Sequence, residues 1–128
     1  MSFGKINIDP ADVQFSKFIR MRDGRCVRCG TPGTGPDGIH GLQNSHYFSR
    51  GRETTRYDVE NCDALCAGCH QFWESSDREA YTEFKKKHLG ENGYKILRMR
   101  SYQTGKKDRK MALIISKALL ADLIKKRV

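Results

Sequence analysis

A chain of 128 residues fits one domain, and with 38% hydrophobic and 30% charged residues its core must be modest and helped by a staple. The net charge of +9, from 24 Lys and Arg against 15 Asp and Glu, favours nucleic acid as a partner over a membrane, because the basic residues are spread along the chain. No run of about 18 apolar residues is present, which excludes a membrane-spanning helix, and the start Met1-Ser2-Phe3-Gly4-Lys5 lacks the apolar segment of a signal peptide. A reducing cytoplasm follows as the expectation, where CxxC pairs bind metal more often than they form disulfides.

Residues 1 to 8 read as a loose arm. Asp9-Pro10 then supplies an N-cap and a first-turn proline, Val13, Phe15, Phe18 and Ile19 a partly apolar helix face, and Asp23-Gly24 a stop. Lys17, Arg20 and Arg22 on that helix either meet phosphate or form a solvated face. The Gly/Pro-dense run from Thr31 to Gly38 is a loop whose ends the flanking strands tie together. Ile39 to Phe48 reads as one strand or two, broken at Gly41, with Leu42, Asn44 and His46 on one face and Gln43, Ser45 and Tyr47 on the other. Ser49 to Tyr57 reads as an exposed loop carrying Arg50, Arg52 and Arg56, which either hold a phosphate backbone or are simply solvated.

A second short strand or an irregular segment is expected from Asp58 to Leu65, then a short helix from near Cys69 to about Trp73. Phe72 and Trp73 are expected in the core. Ser76-Asp77 caps a further helix that stops at Gly90, another spans Tyr94 to Tyr102, and a last one runs from Asp108 to Arg127. Its apolar stripe is core or a dimer face, and the oligomeric state, monomer or weak dimer, is left open.

Cys26, Cys29, Cys66 and Cys69 form two CxxC pairs separated by 36 residues. Two intervening residues let the backbone turn both thiolates towards one ion, and four thiolates close a tetrahedral structural zinc site with no position left for water. Reduced thiols or two local disulfides are the alternatives. Cys62 is the odd one out and reads as a small buried hydrophobe.

The order His46, Asn61, His70, interleaved with the two CxxC pairs over about residues 25 to 73, resembles the HNH endonucleases with their ββα-metal site. Ser45-His46-Tyr47-Phe48-Ser49-Arg50 and Cys26-Val27-Arg28-Cys29-Gly30 further resemble small phage-encoded members of the NinG (Rap) type. The resemblance implies an α+β fold: a zinc-stapled, treble-clef-like core at 25–75, preceded by an arm and helix at 1–24 and followed by a helical extension at 76–128. It implies hydrolysis of DNA phosphodiester bonds, leaving 5′-phosphate and 3′-hydroxyl ends. His46 would be the general base and Asn61 would orient its ring or hold the loop. His70 would bind a catalytic divalent ion (Mg²⁺, Mn²⁺, Ni²⁺ or Zn²⁺) distinct from the structural zinc, with Arg50, Arg52 and Arg56 on the DNA.

One departure stands out. Many HNH proteins carry an acidic residue or another metal ligand just before the first histidine, and here that residue is Ser45. Glu74, one helical turn after His70, is the candidate replacement, with an exposed helix carboxylate as its alternative. His40 reads as a loop histidine and His88 as a helix-end residue with no site. The rival function is a non-catalytic zinc module that binds DNA or protein, including a purely structural adaptor.

Overall fold

The structure is a computed structural model that describes residues 8–105 and 108–127; the arm expected at residues 1 to 8 lies, but for Ile8, outside them. The fold is α+β: five α-helices and one two-stranded antiparallel sheet among the described residues. No described helix is long and apolar enough to cross a membrane.

Helix α1 (Pro10–Asp23) has the expected ends. The Asp9 carboxylate accepts the Ala11 N–H at 2.9 Å, the Asp12 carboxylate accepts the Asp9 N–H at 2.8 Å, and Gly24 stops the helix at φ 67°. Ala11, Phe15, Phe18 and Ile19 share the buried face; Val13, expected with them, lies two residues off that face and is exposed. The basic residues of α1 act locally rather than as a phosphate row. Arg22 donates to the carbonyls of Val59 and Cys62, and Arg20 to that of Ser16.

The Gly/Pro loop is closed by two isolated bridges, Arg25 with Pro32 and Thr34 with His40. Gly33 is obligatory there, since a Cβ at this position would sit 2.0 Å from the Gly38 carbonyl oxygen. Strands β1 (Leu42–His46) and β2 (Cys62–Cys66) then pair antiparallel, with Leu42 opposite Cys66, Ser45 opposite Asp63 and His46 opposite Cys62. Between them lies a four-residue helix, α2 (Glu53–Arg56), in the segment expected to be an exposed loop. Thr55 and Arg56 are buried in it because Arg56 pairs with Asp12 of α1, while Thr54 donates to the Arg100 carbonyl.

Helix α3 (Ala67–Gln71) leads directly into a π-helical turn, Phe72–Ser76. Trp73 is core, stacked on Tyr81 at 4.5 Å, but Phe72 is exposed and lies beneath the Arg28 guanidinium. Asp77 caps the next helix by accepting the Ala80 N–H. The two helices expected on either side of Gly90 are both present and meet within α4 (Arg78–Tyr102), where Gly90 leaves the helical region at φ 79°, ψ 162°. Gly90 therefore ends the first of the two, at a positive φ that favours glycine.

Helix α5 (Arg109–Arg127) runs parallel to α1, with Arg109 near Asp9 and Arg127 donating to the Arg22 carbonyl. Leu120 joins Phe15, Phe18, Ile19 and Cys62 in one core cluster, with Leu119 and Leu123 packed against it. The stripe read from α5 is thus split, since Met111, Ile114 and Ile115 remain exposed. A second cluster, built from Leu42, Tyr47, Phe48, Leu65, Trp73, Tyr81 and Leu97, packs the hairpin onto α4.

Candidate metal centre and adjoining cleft

The four cysteines come together from two loops of the fold. Gly30, at φ 82°, closes the first turn, where its N–H bonds the Cys26 carbonyl at 2.9 Å and the Cys26 N–H bonds Thr31 O at 2.8 Å. Cys66 caps α3 and Cys69 sits one turn into it. The four Sγ atoms lie within 4.8 Å of one another, and Cys29 and Cys66 Sγ are 3.8 Å apart. Thiolates about 2.3 Å from a tetrahedral zinc stand roughly 3.8 Å from one another, so this donor set fits zinc. No disulfide joins the five cysteines.

The thiols do not deprotonate alike. The hydrogen bonds of Thr31 bring Cys29 down to about 6, whereas burial pushes Cys69 up to about 12. A divalent cation would overcome that difference by requiring thiolate from all four. Arg28, donating to Cys69 Sγ at 3.2 Å, offsets part of the resulting negative charge. Cys62 is fully buried, outside this cluster, and burial raises its thiol well above the usual range, as befits a core residue.

His46 ends β1. Its Nε2 lies 3.0 Å from the Arg56 carbonyl oxygen. That oxygen can only accept, so Nε2 carries the proton and Nδ1 is the basic nitrogen of the neutral ring. Burial brings the imidazole down to about 4, although the Arg56 carbonyl favours the charged form. Arg56 is itself held by Asp12, with Nε to Oδ1 at 2.8 Å and Nη2 on Oδ2. Burial would raise the Asp12 carboxyl, but the Arg56 guanidinium and the Asp9 N–H hold it at about 2. Arg56 is 3% exposed, so its part in the site is to hold the carbonyl that orients His46, and its guanidinium is not presented to DNA.

Asn61 is also fully buried. Its Oδ1 accepts the Phe48 N–H at 2.8 Å, and its Nδ2 donates to the Phe48 and Thr55 carbonyls, each at 3.0 Å. Of the two roles expected for it, it performs the second: it holds the loop that follows His46. Ser45 is fully buried and bonds the Tyr81 hydroxyl at 3.0 Å. Tyr81 in turn donates to Asp63, which Lys85 also meets at 3.1 Å. The position before His46 therefore belongs to a buried polar network.

His70, on α3, meets an oxygen at each ring nitrogen: Gln43 Oε1 at 2.6 Å from Nδ1 and Glu74 Oε1 at 2.7 Å from Nε2. The Glu74 carboxylate can only accept, so a proton or a cation lies between it and Nε2. A histidine nitrogen and a carboxylate oxygen facing each other in this way could hold a cation, with Gln43 on the other ring nitrogen as an outer partner. The His70 hydrogen bond holds Glu74 below the usual carboxylate range. His46, His70, Glu74, Asn44, Arg50, Arg52 and Arg78 line one cleft of about 590 Å³.

His40 lies in the bridged loop, outside the cleft, and His88 stacks on Phe84 at 5.6 Å. Sequence reasoning missed Gln43, Asp12 and Arg78. The period of two sets Gln43 on the face of β1 opposite His46, so alternation did not point to it, and nothing in the sequence links Asp12 to Arg56 across 44 residues. Comparison with protein-family models, curated proteins and solved structures finds no match for this chain.

Proposed function

We propose that the chain is a metal-dependent endonuclease of the HNH type, hydrolysing DNA phosphodiester bonds from a zinc-stapled, treble-clef-like ββα core. One observation carries the reading: His46 from β1 and the His70–Glu74 pair from the following helix open on the same cleft.

In this reading His46 is the general base. Its Nε2–H, held on the Arg56 carbonyl, leaves Nδ1 to take a proton from the attacking water, and the low pKa keeps that nitrogen unprotonated at neutral pH. Neutral His46 needs no proton release before it acts, at the cost of lower basicity. His70 and Glu74 would hold the divalent ion, which supplies charge neutralisation at the phosphate and at the leaving 3′ oxygen. Gln43 orients His70, and Asp12 orients Arg56 and through it His46. Arg52 faces the DNA backbone, whereas Arg50 lies 3.5 Å from the Asp12 carboxylate and supports the same network. The four cysteines hold the structural zinc and take no part in proton transfer.

The test is plasmid relaxation with Mg²⁺, Mn²⁺ or Ni²⁺. Wild type is expected to nick or linearise the plasmid, and His46→Ala to leave it intact while retaining zinc. Equal inactivity of both proteins across the metals would replace this reading with the non-catalytic zinc-binding module.

A further inference from the structure

Two groups stand out among the arginines of this fold, while Arg50, also in the cleft, lies 3.5 Å from the Asp12 carboxylate. Arg22, Arg56, Arg100 and Arg109 each hydrogen-bond a carboxylate: Asp23, Asp12, the Asp58 and Glu60 pair, and Glu53. Their charges are neutralised within the protein.

Arg52 and Arg78, both lining the cleft, are held differently. The Arg78 guanidinium lies 4.0 Å from the centre of the Tyr47 ring and 5.6 Å from that of Tyr81, and donates to the Tyr47 carbonyl. Arg52 lies 4.7 Å from the Tyr102 ring centre and 5.4 Å from that of Phe48, and donates to Ser101 Oγ at 3.0 Å. Neither has an ion pair with a carboxylate among the described residues. Aromatic faces and neutral oxygens fix a guanidinium in place without cancelling its charge. Each arginine has five N–H donors and spends one here, so a fork of donors is left for an oxyanion.

Position adds to the argument. Arg78 is exposed at the first turn of α4. It lines the same cleft as His70 and Glu74, and its charge acts on Glu74 as a smaller influence behind that of His70. Glu74 is the one carboxylate lining the cleft, and His70 engages it.

We propose that Arg78 and Arg52 form a preset clamp for the phosphodiester backbone of nucleic acid, with Arg78 taking the phosphate next to the His70–Glu74 pair. The clamp rests on the nucleic-acid part of the function proposed above and is independent of cleavage. Each guanidinium binds non-bridging phosphate oxygens and releases condensed counterions as it does so.

The experiment measures binding of a fluorescent duplex oligonucleotide by anisotropy, without added divalent ion, across a salt series. It compares wild type, Arg78→Gln, Arg52→Gln, Arg78→Lys and the remote Lys126→Gln. Each Arg→Gln change is expected to reduce the slope of log K against log salt by about 1 and to weaken binding about tenfold at ~0.1 M salt. Zinc content and melting temperature should be unchanged. Arg78→Lys should keep the slope, and Lys126→Gln should match wild type. Wild-type slopes in both Gln variants would overturn the clamp. So would equal competition by a polyglutamate peptide of matching charge, which would make the site one for acidic protein. A chain that binds as described but leaves plasmid intact would sink the nuclease and spare the clamp.

Discussion

Replacing Asp12 with Asn tests how His46 is held. Arg56 is 3% exposed and donates two hydrogen bonds to the Asp12 carboxylate. Removing one partner of a buried pair leaves the other charge uncompensated, which typically costs about 3–5 kcal/mol. Two features place this site at the low end. Glu53 lies 3.9 Å from Arg56 and retains some attraction, and an Asn at position 12 can still accept the Asp9 N–H that completes the α1 cap. The expected loss is therefore about 3 kcal/mol, read from urea unfolding followed by far-ultraviolet circular dichroism, with an unchanged m-value. A second variant, Asp12→Asn with Arg56→Met, removes both charges and should recover much of the loss. Cleavage should fall in the single variant at temperatures where it is fully folded, because the Arg56 carbonyl that fixes His46 Nε2 loses its anchor. A single variant within 1 kcal/mol of wild type would refute the reasoning and show that Glu53 alone suffices.

Three further outcomes follow from the site. His46 has a folded pKa of about 4 against an ordinary value of about 6.5, so the unfolded chain binds more protons between those values. Its contribution, about 3 kcal/mol, is complete above pH 6.5 and is lost as pH falls to 4; a His46 NMR titration midpoint near 6.5 would contradict this. Cys66→Ser should release zinc, as read by elemental analysis, and lower the melting temperature by more than a surface substitution would, because metal binding contributes directly to folding. Retention of one zinc per chain would remove the staple. Asn61→Ala should destabilise by about 2–4 kcal/mol, because the Phe48 N–H and the Phe48 and Thr55 carbonyls lose their buried partner; thermal unfolding within 0.5 kcal/mol of wild type would show that water replaces it.

Local signals made much of this fold legible. Caps carry their own chemistry, so Asp9-Pro10 and Asp77 marked helix starts correctly, and Gly24 a stop. Paired CxxC spacing pointed to the cysteine cluster because four soft ligands at that separation have few other uses. Long-range pairing stayed hidden. The burial of Arg56 depends on a carboxylate one helix away, and so a segment rich in charge that looks exposed becomes part of the interior. Ser45 is the clearest case. Read along the chain, it was a missing metal ligand; its partners Tyr81, Asp63 and Lys85 come from β2 and α4, and only the fold brings them to it.

The hairpin is where these pieces act on one another. Five residue pairs make a two-stranded sheet that is marginal in water by itself. A slip of one residue would turn Ser45 towards the cleft and His46 into the core. Three devices oppose that slip, one at each end and one between. At the Leu42–Cys66 end the cysteine cluster anchors β2 to the first CxxC turn. At the His46–Cys62 end Asn61 ties the chain after β1 back to the start of β2. Between them the Ser45–Asp63 pair is joined through the Tyr81 hydroxyl, an arrangement that only this register satisfies. The clustered cysteines, Asn61 and Ser45 thus serve one end: they set the parity of β1, and the parity of β1 decides whether an imidazole faces the cleft.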